Sequence, residues 1–127
     1  ALRRGAEIDA EARAGLADRL AAQRAAAEAA LLGDADAVLL PATPIRTPPV
    51  AEIDRAGPGF RPRTLFELSA YTRFVNRLGW PAAAVPAGRD ARGLPVAAQL
   101  VGRPGSDAAI LALAAAFPRA PAIGGPA

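Results

Sequence analysis

Residues 72–102, TRFVNRLGWPAAAVPAGRDARGLPVAAQLVG, decide how this sequence is read. They describe the end of an apolar helix, a short apolar strand, a glycine-bracketed turn and a second apolar strand. Gly79 and Pro81 punctuate the helix exit, and Gly88 and Gly93 bracket Arg89-Asp90-Ala91-Arg92. Two apolar runs joined in this way form the pattern of a β-hairpin with a longer loop. The spacing predicts strands over 82–87 and 94–101. In the second, Leu94, Val96, Ala98 and Leu100 share one face, and Pro95, Ala97, Gln99 and Val101 the other, because side chains alternate along a strand. Gln99 is the lone polar side chain of that strand. It is expected to latch onto a neighbouring backbone or loop rather than to bind a ligand.

Upstream, Thr64-Leu65-Phe66-Glu67 has the form of a capping box and predicts a single helix from Thr64 to about Leu78. Leu65, Leu68, Tyr71, Val75 and Leu78 would occupy one side, and Phe66, Ala70 and Phe74 another, so this helix is expected to be buried. Thr72, Arg73 and Asn76 would then each need a polar partner. Residues 41–63 carry six prolines and two glycines, a density that predicts no regular element. Their apolar side chains, Ile45, Val50, Ile53 and Phe60, suggest a segment lying along a surface, either a pocket wall or lid or a variable excursion. Residues 36–41 predict a short, fully buried strand.

The outer elements are helical. Ile8, Ala12, Leu16 and Leu20 recur every four residues and predict one long helix over 6–32 with a narrow apolar stripe. Glu7, Asp9 and Glu11 favour its positive N-terminal end, and Gly33 is a suitable stop. Glu7 and Glu11 share a face but have no further ligand beside them, so they read as solvated. At the other end, Gly102 to Gly105 form a turn, and Ser106 and Asp107 open a helix whose stripe is Ile110, Leu113, Ala114 and Phe117. Residues 118–127 read as a flexible tail. Helix, strand, loop, helix, strand, strand, helix is an α/β order with an antiparallel hairpin. Its three short strands look like one side of a larger sheet, an incomplete domain.

Composition narrows the chemistry. The 127 residues suffice for one small domain. Leu, Ile, Val and Phe make up only 29 of them, a thin core that is expected to pack against something else. No methionine occurs, which suggests a processed chain or a piece of a longer one. Neither a signal-peptide core nor a membrane-length apolar run is present, and no membrane association is expected. The absence of cysteine fits a cytoplasmic protein without disulfides. All fifteen basic residues are arginines, scattered among acids to a net charge of +3, so no nucleic-acid partner is expected. Without His or Lys there is no Ser-His-Asp triad, histidine metal site, Schiff base or serine–lysine pair. Ser69 and Ser106 are the two serines. No catalytic residue, metal ligand or cofactor site is therefore assigned within this chain.

A family resemblance rests on an ordered series of motifs. These are Thr72-x-x-x-Asn76-x-x-Gly79-x-Pro81-Ala82, Val85-Pro86-x-Gly88 and Gly93-Leu94-Pro95-Val96-x-x-Gln99-Leu100-Val101-Gly102, preceded by Asp36-Ala37-Val38-Leu39-Leu40-Pro41-x-Thr43-Pro44. The series resembles the C-terminal part of the amidase signature family and covers roughly residues 4–117. The resemblance implies part of an α/β/α sandwich around a mixed sheet, with residues 1–117 as the C-terminal portion of the domain. It implies hydrolysis of a carbon–nitrogen amide bond by a serine nucleophile, a second serine and a lysine base, all carried upstream. This piece would complete the sheet and supply part of the pocket wall. Its implied partners are a small-molecule amide substrate and the N-terminal part of the same domain, with a second copy of the chain as a further candidate. Glutamine-using, tRNA-dependent members typically carry an aspartate three positions before the motif threonine. Here that position is Ser69, which points toward a general amidase. Ser69, Tyr71, Arg73 and Trp80 are the candidate substrate-binding residues. The competing reading is a small non-catalytic α/β binding or scaffold module.

Overall fold

The computed structural model describes residues 8–118; the tail expected at 118–127 lies outside this range except for Pro118. The chain divides into two units at Ala35 and Asp36. The first contains helix α1, Ala10–Leu31. Asp9 caps it, its carboxylate accepting the Ala12 N–H at 2.7 Å, which satisfies one of the free donors of the first turn. At the other end the N–H groups of Leu32 and Gly33 both donate to the Glu28 carbonyl, with Gly33 in the left-handed region at φ 52°. No residue of α1 is buried, and Leu16 of the expected stripe is exposed.

The second unit is built on three strands, β1 (Ala37–Pro41), β2 (Ala82–Arg89) and β3 (Pro95–Gly102). Their order is β1-β3-β2, and both pairings are antiparallel. Helices on an open three-stranded sheet fit the expected incomplete α/β domain. β3 is central, and its last four residues are all buried. Among the described residues β1 pairs with β3 alone, and it is half-covered, with Leu39 exposed. This corrects the expectation of a fully buried strand: the run is apolar, but it stands at an edge. β2 continues to Arg89 through an irregularity in register between Pro86 and Gly88. The hairpin connection closes with the Gly93 N–H on the Asp90 carbonyl, and Gly93 sits at φ 77°, a conformation that favours glycine.

Between β1 and β2 the chain forms α2 (Val50–Ile53), α3 (Pro62–Leu68) and α4 (Arg73–Leu78). Two expectations are corrected here. The proline-rich segment is not free of regular structure, because α2 forms directly after Pro49. Nor is there one helix over 64–78. α3 begins at Pro62, whose fixed φ suits the first helical turn. Residues 69–72 then break the helix before α4 starts. The expected capping box is not used: Glu67 instead pairs with Arg63 at 2.7 Å on the surface. Leu65, Phe66 and Tyr71 are exposed; Val75 and Leu78 alone are buried in the two helices.

The last helix, α5 (Asp107–Ala116), packs on one face of the sheet. Val85, Leu100 and Ile110 form the buried cluster there, with Ala37, Ala83, Ala98, Ala114 and Phe117 around it. Ser106 precedes α5 as expected, but its hydroxyl does not cap it. It donates instead to the Arg103 carbonyl at 2.7 Å, closing the turn that brings α5 back over β3.

Candidate functional site

Alternation along β3 separates two surfaces. Ala98, Leu100 and Gly102 lie under α5, while Gln99 and Val101 point to the opposite face. The register places Ala84 across from Gln99 and Ala82 across from Val101. These methyl-sized side chains leave space. A cavity of about 210 Å³ opens there. Its small walls are Ala42 and residues 82–84 of β2, and its larger lining groups are Thr72, Val75, Asn76 and Gln99.

Gln99 is the polar anchor of this face, at 4% exposure. Its Nε2 donates to the Tyr71 carbonyl at 2.6 Å, which is the latch expected from its isolated position in an apolar strand. The acceptor lies in the break between α3 and α4. That break is tied locally as well. The N–H groups of Thr72 and Arg73 both donate to the Ser69 carbonyl, and the Thr72 hydroxyl donates to the same oxygen at 3.3 Å. α4 ends at Gly79, in the left-handed region at φ 68°, and the Gly79 and Trp80 N–H groups share the Val75 carbonyl. This is the usual way a helix closes on glycine, and it delivers the chain directly into β2 beside the cavity.

The four residues selected from the sequence fall around this arrangement rather than in one cluster. Ser69 is half-buried in the break, its hydroxyl donating to the Phe66 carbonyl at 3.4 Å. Tyr71 contributes the carbonyl that Gln99 holds, while its residue remains 42% exposed. Arg73 is exposed and places its guanidinium 5.5 Å from the centre of the Phe66 ring, a cation–π contact. Trp80 is 5% exposed and meets Phe74 edge-on at 6.4 Å between ring centres. Its Nε1 is buried without an acceptor among the described residues. Thr72 and Asn76, read from sequence only as polar groups in need of partners, are the ones that line the cavity. The signal that would have found them is their i, i+4 spacing, which puts both on one face of the chain entering α4.

The lining offers hydroxyl and amide groups and no carboxylate, imidazole or amine. Such a surface can orient a polar ligand by hydrogen bonds; it has no group suited to move a proton at neutral pH. Among the described residues no cluster of acidic side chains could hold a metal ion, and no helix is long and apolar enough to cross a membrane.

A second polar arrangement stands at the far end of the hairpin. Asp90 accepts the N–H groups of Arg92 and Leu94 and the Arg92 guanidinium. The same guanidinium reaches the Thr47 carbonyl at 2.8 Å, fastening the proline-rich segment to the hairpin turn. Desolvation opposes ionisation of Asp90, but the hydrogen bonds from the Arg92 side chain and from the Leu94 and Arg92 backbone outweigh it. The carboxyl is held below its ordinary range.

Comparison with known proteins places this geometry in context. The family model described as Amidase matches residues 6–111. A glutamyl-tRNA(Gln) amidotransferase subunit from Afipia carboxidovorans is 41% identical over 78 residues, 61% of this chain and 15% of that protein. The subunit of the same name from Methylorubrum extorquens strain PA1 is 39% identical over 87 residues, 68% of this chain and 17% of that protein. A putative amidase from Synechocystis is 38% identical over 79 residues, covering 62% and 16% respectively. The chain thus spans about a sixth of the length of the curated relatives it matches.

Proposed function

Because this chain belongs to the amidase family, we propose that it is the C-terminal part of a serine-dependent amidase that hydrolyses a carbon–nitrogen amide bond. In this reading the nucleophile and its base lie upstream. The described residues complete the sheet and form one wall of the substrate pocket. The observation that carries the proposal is the cavity on the Gln99 face, where alanines leave room and Thr72 and Asn76 supply hydrogen-bonding groups without any acid or base. Ser69, at the helix break beside this cavity, stands where glutamine-using members of the family carry an aspartate. A neutral hydroxyl there does not provide the charge that would hold a substrate ammonium, so a simple amide is favoured over glutamine. Tyr71, Arg73 and Trp80 are assigned to the support and surroundings of the same wall.

The test is the protein expressed from its complete reading frame, assayed for ammonia release from acetamide, isobutyramide, benzamide and glutamine and probed with a serine-reactive fluorophosphonate. Turnover of simple amides with labelling outside residues 1–127 is expected. No turnover and no labelling would overturn the reading, and turnover by the 127 residues alone would overturn the assignment of the chemistry to upstream residues.

A further inference from the structure

The Gln99 side chain spans 28 positions of sequence to hold one carbonyl in the break between α3 and α4. In an uninterrupted helix the Tyr71 carbonyl would accept from the N–H four residues on. Here the donor is a strand side chain on the floor of the cavity. The break ends at Thr72, the N-cap residue of α4, and so bears on where Thr72, Val75 and Asn76 stand at the cavity rim. Ser69 and Thr72 hold the break locally through backbone and hydroxyl contacts on the Ser69 carbonyl. Gln99 ties it to the sheet.

We propose that Gln99 is a positioning residue for this pocket: its buried amide fixes the break between α3 and α4 and so sets which amide substituents the cavity admits. The inference rests on the pocket reading given above. It makes Gln99 more than a stabilising latch, because loosening it moves the rim relative to the alanine floor without touching any reacting group.

The decisive variants are made in the protein expressed from its complete reading frame. Gln99→Glu keeps the shape but sets an oxygen against the Tyr71 carbonyl. When protonated, that carboxyl becomes a donor again, and burial raises its pKa toward neutrality. For Gln99→Glu at about pH 8, the KM for isobutyramide should rise about tenfold with kcat changed less than about threefold, and should recover as the pH is lowered toward about 5.5, a dependence the parent protein lacks. Hydrogen exchange at the Thr72, Arg73 and Asn76 amides should accelerate in parallel. Gln99→Met removes the donor without burying a charge, and should show the same KM rise with no recovery at low pH. This variant carries the test if the glutamate protein fails to fold. Faster exchange with unchanged KM in either variant would overturn the proposal, as would equal losses in kcat and KM that track a fall in Tm. Ala84→Leu, which fills the cavity, separates the two levels. If it leaves KM unaltered the pocket reading itself fails; if it raises KM while both Gln99 variants do not, only the role of Gln99 fails.

Discussion

On one face of β3, Ala98 and Leu100 pack with Ile110 and its neighbours, and Gly102 lies so close to Ile110 that a side chain there would collide. On the other, Gln99 looks across the alanines of β2 toward a cavity, while Val101 beside it is fully buried. The two faces are written in alternating letters of the same eight residues. The α5 side uses branched and glycine positions to bring a helix close, which stabilises by burying apolar area and by dense packing. The opposite side gives up side-chain volume and keeps one buried amide. Close helix packing and open space are thus separated by a single residue's step along the strand, and a substitution's consequence depends on its parity.

Three substitutions press on that contrast. Gly102→Leu should be the most damaging, at about 4 kcal/mol or outright loss of folding. A Cβ at Gly102 would lie 2.6 Å and 2.7 Å from the Ile110 side chain and closer still to the Ser106 hydroxyl; chemical denaturation measures the loss. Ile110→Ala, in the same cluster at 2% exposure, should cost about 3 kcal/mol through lost burial and the void left behind. Ala84→Leu on the opposite face should change stability by less than about 1 kcal/mol, because the added atoms enter existing space. A destabilisation as large as that of Ile110→Ala would abolish the distinction between the two faces.

The smallest effect is expected at the hairpin turn, outside both faces. Asp90 holds its proton less tightly in the folded hairpin than in the unfolded chain. Its contribution to stability is therefore complete above the unfolded value of about pH 4, and is lost as the pH falls through the lower folded value. Denaturation midpoints measured from neutrality down through that window should converge between the parent protein and Asp90→Asn. Divergence toward acid would show that the turn is not held by the ionised carboxylate.

The pattern of what can be read in advance follows from locality. The hairpin and its glycine-bracketed connection are set by short-range periodicity and stand where the sequence places them; of the α5 stripe, Ile110, Ala114 and Phe117 pack on the sheet, but Leu113 is exposed. Gln99 is legible because a polar residue in an apolar strand must find a partner. The helix break is not. Residues 64–78 have helical patterning throughout, and the interruption at 69–72 carries contacts on the Ser69 carbonyl and a distant amide from Gln99 that local patterning does not announce. Pro62 reads as a breaker although it opens α3. The cavity escapes for a related reason: alanines at 82–84 signal nothing individually, and their meaning emerges only when β3 is paired beside them.

Trp80 has a practical consequence. It is the sole indole in 127 residues, it is sequestered from solvent against Phe74, and it occupies the junction where α4 hands the chain to β2. Its fluorescence is therefore a built-in gauge of that junction: a blue-shifted emission while the helix exit stays docked, and a red shift as soon as water reaches the ring.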